Sequence, residues 1–211
     1  MTVRHEKLAL SRKKLLDASL HVIRAKGYEA TTVDDICAAA GLSKGSFFHH
    51  FKSKEHLYQA VVGTHVREFH RQAEEVLSAK GPAGPILLRY VSNHFDFIGT
   101  HPHYPRIFQR MMMVGDRTLE RMVREHSIPL LKLLVALLER GMRSGEFRRL
   151  DQEHTIASIA ALTVHYFNIA PAIRVISGQD PFSKANLARR KAAVLKFIRY
   201  ALFRNPEAAE Q

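Results

Sequence analysis

The residues Thr32 to Lys54 read TVDDICAAAGLSKGSFFHHFKSK, and they outline two short helices around one turn. Thr32 precedes Asp35 by three positions, a spacing in which a threonine hydroxyl accepts hydrogen bonds from free N–H groups at a helix start. Gly41 lies where the first helix must end and the backbone must turn through a left-handed angle, which glycine adopts without strain. Ser43 is in position to cap the second helix. The pattern therefore predicts a helix, a tight turn and a second helix.

The second helix begins with a basic leading edge, by which we mean Lys44, Gly45 and Ser46. A cation, a residue without a side chain and a small hydroxyl suit close approach to a polyanion. Phe47 and Phe51 recur at i and i+4, so we expect them to anchor the helix to the domain. A helix-turn-helix of this kind places its second helix in the major groove of DNA. DNA is therefore the leading candidate ligand.

Two longer runs in this region match the motifs of a known family. Gly27 to Ile36, GYEATTVDDI, fits G-Y-x-x-T-T-V-x-D-I, and Gly41 to Glu55, GLSKGSFFHHFKSKE, fits G-x-S-K-G-x-[FL]-[YF]-x-H-F-x-S-K-E. On these runs the chain resembles the N-terminal domain of TetR-family transcriptional regulators. The family usually has tyrosine where this chain has Phe48, so a hydroxyl commonly used on a phosphate is missing. That contact must be absent or replaced.

The helix-turn-helix and the resemblance together give each residue of the motif an expected role. Lys44 and Ser46 are candidates for contacts to base edges, and Gly45 for close approach of the backbone. Contacts to phosphates would set the register of the protein on DNA. The phosphate candidates are Thr32, His49, His50 and Lys54, with polar surface as the alternative for the two histidines, and Ser43 and Phe48 complete the predicted DNA-binding set.

Composition and charge agree with this interpretation without deciding it. The 211 residues are 46% hydrophobic and 25% charged, as expected of a folded protein with a sizeable core. The formal net charge of +12 favours nucleic acid, an anionic membrane surface or an acidic ligand as a partner. The apolar runs are shorter than the ~20 residues that span a bilayer, and the first residues lack the hydrophobic segment of a signal peptide. We therefore expect a cytoplasmic protein without a membrane partner.

Periodicity predicts helices along the whole chain. The first should run from about Ser11 to Lys26, preceded by a basic arm that either follows a DNA backbone or is a solvated tail. A fourth helix, capped by Ser53, would link the DNA-binding domain mechanically to the remainder. We expect a later kink at Pro171 and a last helix that starts at Asp180. Because no alternating run is bounded by hairpin turns, the prediction is an all-α protein of about nine helices.

These helices divide into two expected domains. Residues 8–56 would form a TetR-type DNA-binding domain of three helices, with the helix-turn-helix at about 32–51. Residues 57–207 would form a regulatory domain for ligand binding and dimerisation, reached through the long link helix.

Other chemistries find little support in the sequence. The pairs His49–His50, His101–His103 and His65–His70 lack the i,i+3 or i,i+4 spacing that metal ligands on one helical face need. Phosphate-loop, dinucleotide-binding and serine-hydrolase motifs do not occur. The single cysteine, Cys37, is expected to be a small core residue. We therefore predict no metal site, no cofactor and no enzymatic activity.

Aromatic and methionine residues cluster in the second half of the chain, and methionine adapts to irregular space, so a cavity is one interpretation. Ordinary core is the alternative for each member. Regulators that resemble this chain carry an inducer pocket in their C-terminal helices. The predicted pocket residues are His94, Phe97, Tyr104, Phe108, Met111, Met112, Tyr166 and Phe167.

The resemblance also implies how two copies would associate. In the family, the last two helices of each subunit form a four-helix dimer interface, which here implies Ala160, Leu187, Val194, Leu195, Ile198 and Leu202. The implied protein is a homodimeric regulator, expected to be a repressor, that binds a palindromic operator in double-stranded DNA and is released by a small-molecule inducer. The rival interpretation is a small-molecule-binding helical protein whose helix-turn-helix serves protein contacts.

Overall fold

The computed structural model describes residues 3–101, 105, 109, 112, 113, 115 and 117–207. Extended pairing within this part of the chain is limited to one isolated bridge between Phe147 and Phe203, so the predicted all-α class is confirmed. A π-helical segment, Val123–Ser127, joins α6 to α7. The α-helices of the described part are α1 (Val3–Lys26), α2 (Val33–Ala40), α3 (Lys44–His50), α4 (Lys54–Leu77), α5 (Ala83–Thr100), α6 (Arg117–Met122), α7 (Ile128–Arg143), α8 (Gln152–Asn168), α9 (Ala170–Ser177) and α10 (Lys184–Leu202).

The chain divides into two compact units, residues 1–65 and residues 66–211, which we call the N-terminal and C-terminal units. In the N-terminal unit, α1, α2 and α3 pack together over a small core. Cys37 is 5% exposed within this core, where the sequence predicts it. The buried members of the core are Leu15, Ile36, Cys37, Phe47, Phe51, Leu57 and Val61.

The C-terminal unit has a larger core, built mainly by α5, α7, α8 and α10. α5 buries an apolar face on which Leu87, Val91, Phe95 and Ile98 recur at helical spacing. The buried stripe of α10, which includes Ile198, belongs to the same core. Burial of the apolar faces of α5 and α10 in this core therefore stabilises both helices.

The structure refines one expected kink and corrects two expected helix starts. α1 begins at Val3 rather than Ser11, so the arm is helical as far as it is described. The kink expected at Pro171 is a break at Ile169, where α8 and α9 meet at 62°, because a proline without an N–H fits the first turn of a new helix. α10 begins at Lys184, after the cap residue Ser183, rather than at Asp180.

Among the residues that the structure describes, one bent pair of helices has the length and composition of a membrane span. No single helix of the described residues is long and apolar enough to cross a bilayer. α8 and α9 reach the required length and composition only when they are taken together across their 62° bend.

Candidate nucleic-acid interface

The helices of the helix-turn-helix begin and end at the expected residues. Thr32 Oγ1 accepts a hydrogen bond from the Asp35 N–H at 3.1 Å, and the Asp35 carboxylate accepts one from the Thr32 N–H at 2.8 Å. Gly41 has φ of +64°, the left-handed conformation that ends α2. Ser43 Oγ accepts from the Ser46 N–H at 3.2 Å and caps α3. Local hydrogen bonds therefore fix the motif, as its sequence predicts.

Asp35 has a second partner that the sequence does not indicate. Its carboxylate binds Lys26 Nζ at 2.6 Å, so it ties the end of α1 to the start of α2. The hydrogen bonds from Lys26 and Thr32 hold the pKa of Asp35 far below its ordinary value. Asp35 is therefore fully engaged in organising the motif.

α3 separates its packing residues from its exposed residues. Phe47 is fully buried and Phe51 is 1% exposed, whereas Phe48 is 55% exposed. The two buried rings contact each other, with ring centroids 5.9 Å apart, as their i and i+4 spacing predicts. The two buried rings therefore anchor α3 to the core of the N-terminal unit, while its leading edge faces solvent.

Gly45 is not required by the packing of the protein itself. It is exposed, and among the described residues a Cβ added there would meet only Ser43 Oγ, at an ordinary contact distance of 3.7 Å. Gly41 differs, because its left-handed backbone disfavours any side chain. The glycine at position 45 therefore leaves room on the outer surface of the leading edge.

Lys44, the first residue of α3, forms an ion pair across the turn. Its Nζ lies 2.8 Å from Asp34 Oδ1, and both side chains are more than 60% exposed. The hydrogen bond and the charge of Asp34 raise the pKa of Lys44. The ammonium group is therefore fully charged at neutral pH and faces the surface beside α2.

The two histidines at the end of α3 lie in different environments. His49 is exposed, whereas His50 is half-buried, with its Nε2 2.7 Å from Ser11 Oγ. Because the Ser11 hydroxyl donates to the Leu8 carbonyl at 2.9 Å, His50 Nε2 must be the donor to Ser11. Burial lowers the pKa of His50, and the nearby His49 and Arg12 lower it further.

Lys54 is engaged by the protein in a way that sequence reasoning missed. Its Nζ donates to the carbonyl oxygens of Tyr28 at 2.9 Å and Thr31 at 2.8 Å, and it lies 4.3 Å from the centroid of the Tyr28 ring. The Tyr28 hydroxyl in turn donates to Glu55 at 2.6 Å. Lys54 therefore fastens the loop before α2 to the start of α4, and its contact with a phosphate stays a prediction.

In the C-terminal unit, the predicted pocket residues do not share one environment. His94, Phe97 and Phe167 are buried in the core, and Tyr166 is partly buried. Met112 is 55% exposed. Three further predicted pocket residues, Tyr104, Phe108 and Met111, lie outside the described residues.

His94 is held in one neutral form. Thr163 Oγ1 lies 3.0 Å from the carbonyl oxygens of Ile159 and Ala160 and 3.3 Å from His94 Nδ1. Since the single hydroxyl hydrogen goes to the nearer carbonyls, His94 Nδ1 is the donor to Thr163 and Nε2 is left as an acceptor. Burial lowers the pKa of His94 to about 4, and repulsion between the protonated forms of His94 and His70 lowers it as well, so the ring is neutral at pH 7.

The predicted dimer-interface residues divide between core and surface. Val194, Ile198 and Leu202 are at most 8% exposed and pack in the core of their own chain, while Leu187 and Leu195 pack against it. Ala160 is exposed. The large apolar side chains that α10 exposes are Phe197 (60%) and Tyr200 (46%), which sequence reasoning missed. Their i,i+3 spacing outside the buried stripe was the available signal.

Among the described residues, no three His, Cys, Asp or Glu side chains lie close enough together to hold a metal ion.

Comparison with known proteins assigns the family. Residues 15–61 match the profile of bacterial regulatory proteins of the tetR family, and residues 86–198 match that of a tetracyclin repressor-like C-terminal domain. These matches and the capped helix-turn-helix define a DNA-binding transcriptional regulator rather than an enzyme. The chain belongs to the tetR family of bacterial regulatory proteins.

Individual relatives agree with this assignment. The HTH-type transcriptional regulator RutR of Escherichia coli K12 is 26% identical over 175 residues, which cover 83% of this chain and 82% of RutR. A TetR/AcrR-family regulator from Thermobifida fusca superposes with a TM-score of 0.72 at 20% identity, over 89% of this chain and 95% of that one. FadR from Bacillus subtilis, solved in complex with stearoyl-CoA, superposes with a TM-score of 0.67 at 23% identity, over 88% of this chain and 96% of FadR. The two solved structures support the fold.

Proposed function

We propose that this protein is a repressor that binds a palindromic operator as a homodimer and is released by a small-molecule inducer. The observation that carries the DNA-binding part is the leading edge of α3, where Lys44 and Gly45 are exposed on a helix anchored by buried aromatic rings. Such an edge can enter a major groove and reach base edges. The net charge of +12 supplies attraction to the phosphate backbone.

Within this proposal the residues of the helix-turn-helix have different roles. Lys44 and Ser46 contact base edges and His49 contacts a phosphate, whereas the Thr32 hydroxyl already donates to Asp35 Oδ2 at 2.6 Å and reaches a phosphate only by changing partners. His50 and Lys54 already donate to Ser11 and to loop carbonyls, so they support the motif first and reach a phosphate only by changing partners. Residues 8–56 are the proposed DNA-binding domain, and residues 57–207 the regulatory domain.

The dimer would form through the outer faces of α8 and α10. A cavity of about 290 Å³ lies between these helices, lined by side chains that include Leu162, Phe197 and Ala201. Phe197 is exposed at its edge, next to Tyr200 on the same helix. Because a two-fold interface pairs the same patch of both subunits, Phe197 of each copy can enter the cavity of the other. The two leading edges would then reach successive major grooves, ~34 Å apart or a multiple of that distance.

A dimer test should alter the surface without disturbing the core. Phe197→Asp places a charge in the proposed interface, and we expect it to give monomers on analytical ultracentrifugation with an unchanged far-UV spectrum. Leu10→Asp, at a residue 55% exposed on α1, is the matched control and should remain dimeric. A dimeric Phe197→Asp variant would contradict this interface.

The inducer would bind where neutral histidines lie among aromatic rings. His70 and His94 both lie near the ring of Phe69, and Phe97 contacts Phe69 as well. Among the described residues, His70 Nδ1 is buried without a hydrogen-bond partner, and burial together with the charge of His126 lowers the pKa of His70 to about 4. A hydrogen bond to the backbone of His126 raises the pKa of His70, as a bond donated by the ring to a carbonyl does, so the other ring nitrogen is the donor and Nδ1 is the acceptor. A buried acceptor without a donor is costly, which supports a mostly apolar ligand that donates a hydrogen bond.

DNA binding can be tested directly with the DNA that flanks the protein's own gene. We expect saturable, sequence-dependent retardation of this DNA in a gel-shift assay, with weaker and salt-sensitive retardation of a random duplex. The rival interpretation, a helix-turn-helix that serves protein contacts, predicts no sequence dependence.

Ligand release can be tested with stearoyl-CoA as a first probe, since the Bacillus subtilis FadR structure contains it. We expect the ligand to raise the melting temperature and to lower operator affinity in the same concentration range. Coenzyme A alone is the control for binding of the head group. If stearoyl-CoA has no effect, a screen of apolar hydrogen-bond donors with wild type and His70→Phe tests the site itself.

A further inference from the structure

Asp34 has a place in the helix-turn-helix that helix capping does not explain. Its neighbour Asp35 is engaged by Thr32 and Lys26. Asp34 instead points across the turn, and its carboxylate lies 2.8 Å from Lys44 Nζ. An acid is thus held against the cation of the leading edge, on a surface where a polyanion is expected to bind.

Stability is a weak reason for this contact. The side chains of Asp34 and Lys44 are 66% and 61% exposed, and exposed ion pairs contribute little to the free energy of folding. An unpaired carboxylate at this surface would also repel phosphates and weaken DNA binding. The pair is therefore better explained by what it does to Lys44.

We propose that Asp34 is a positioning residue for Lys44 and thereby sets the DNA specificity of this protein, an inference that rests on the proposed function. The lysine ammonium group has three N–H donors. Asp34 takes one of them and fixes the direction of the side chain, which leaves two for the N7 and O6 acceptors of a guanine edge.

The same contact opposes binding to the wrong sequence. A free lysine has a long, flexible side chain and would reach the nearest phosphate on any duplex. Held by Asp34, the ammonium group contributes less to phosphate neutralisation, which is the main source of non-specific affinity. Loss of Asp34 should therefore raise affinity for random DNA more than affinity for the operator.

The experiment compares charge-matched variants on two duplexes. The operator is selected from a random-sequence pool by wild-type protein, and the second duplex is a random sequence of equal length. For Asp34→Asn we expect the ratio of operator to random affinity to fall by about threefold to tenfold, with relaxed preference at the base pair that Lys44 reads. The salt slope on random DNA should steepen by about 0.9, one additional phosphate neutralised.

Three further variants separate positioning from charge and from folding. Asp17→Asn removes an exposed acid from α1 and makes the same change in net charge, so it should leave the ratio nearly unchanged. Asp34→Glu keeps a carboxylate within reach and should retain most of the specificity. In a Lys44→Ala background, Asp34→Asn should have no further effect on the ratio, because the residue it positions is absent.

Each outcome decides the matter. An unchanged ratio in Asp34→Asn, an equal fall in Asp17→Asn, or a full effect in the Lys44→Ala background overturns the positioning role while the proposed function stands. If the wild-type protein selects no operator, the proposed function fails, and this inference fails with it. Asp34 also lies in the first turn of α2, where a carboxylate complements the helix dipole. We therefore expect Asp34→Asn to lower the melting temperature slightly, by the same amount in the wild-type and Lys44→Ala backgrounds, while the affinity ratio changes only when Lys44 is present.

Discussion

The carboxylate of Glu146 accepts a hydrogen bond from the backbone N–H of Gly84 at 2.8 Å, across 62 residues of sequence. It also accepts from the Ala83 N–H at 3.0 Å and from Ser144 Oγ at 2.8 Å. α5 follows Pro82 and has no side-chain cap of its own. A residue just after α7 therefore satisfies the free N–H groups at the start of α5, and its charge complements the helix dipole.

Glu146→Ala should destabilise the C-terminal unit by about 1–2 kcal/mol, the usual cost of losing a helix cap. Burial acts to raise the pKa of Glu146, but the hydrogen bonds from Gly84, Ala83 and Ser144 and the charge of Arg140 outweigh it, and the pKa lies below its ordinary value of 4.5. The stabilisation is therefore complete above about pH 4.5 and is lost as the pH falls through the folded-state pKa.

Thermal melts of wild type and Glu146→Ala between pH 3 and 7 measure this effect. The difference in melting temperature should be constant near neutrality and shrink towards pH 3. A difference that does not depend on pH would show that the cap acts without its charge, and Glu146→Gln, which keeps one acceptor, provides the matched comparison.

Gly45→Ala should preserve or slightly raise stability and weaken operator binding. The added Cβ lies at an ordinary contact distance of 3.7 Å from Ser43 Oγ, and alanine is the better helix former by about 1 kcal/mol. The same methyl group would stand between the leading edge and the DNA. Melting temperature and gel-shift affinity measured on one preparation separate the two effects, and unchanged affinity would place the DNA farther from α3.

Gly41→Ala is the matched control for that pair of measurements. Its φ of +64° is unfavourable for alanine, so we expect a loss of about 1 kcal/mol or more. Stability should therefore move in opposite directions at the two glycines.

Phe48→Tyr should tighten binding to operator and random DNA together, by about 1 kcal/mol, the net worth of one hydrogen bond. Phe48 is 55% exposed, so an added hydroxyl can reach a phosphate without being buried. Sequence preference should stay the same because phosphates carry no base identity. Affinities for both duplexes at two salt concentrations test this, and no gain on either duplex would remove Phe48 from the phosphate-facing surface.

Lys54→Met distinguishes a structural lysine from a DNA contact. Losing the bonds to the Tyr28 and Thr31 carbonyls should cost about 1–3 kcal/mol, whereas loss of a phosphate contact would lower the salt slope of DNA binding by about 0.9 and leave stability unchanged. We expect the first result. Lys52→Met, at an exposed position nearby, is the control for the change in charge.

Features that depend on neighbouring residues were predictable from the sequence. The caps by Thr32 and Ser43, the left-handed Gly41 and the buried pair Phe47 and Phe51 all follow from spacings of four residues or fewer. The all-α class follows from helical periodicity for the same reason.

Features that depend on distant residues were not predictable. The carbonyl contacts of Lys54 and the capping of α5 by Glu146 join residues 23 to 63 positions apart, and no local pattern indicates them. On α10, the apolar stripe of Val194, Ile198 and Leu202 fits either a core or a dimer interface. In the structure α5 packs against α10, and the stripe belongs to the core of its own chain. Surface exposure of Phe197 then follows from that choice.

On α3, the residues that pack in the core are different from those that face solvent, and this has a consequence for how new DNA targets arise. Lys44, Gly45 and Ser46 contribute nothing to the core, while Phe47 and Phe51 hold the helix in place. Substitutions at positions 44 and 46 therefore change the surface offered to DNA at little cost in folding. A duplicated gene can acquire a different operator through a few substitutions without passing through unfolded intermediates, and a library randomised at these two positions should consist mainly of folded proteins.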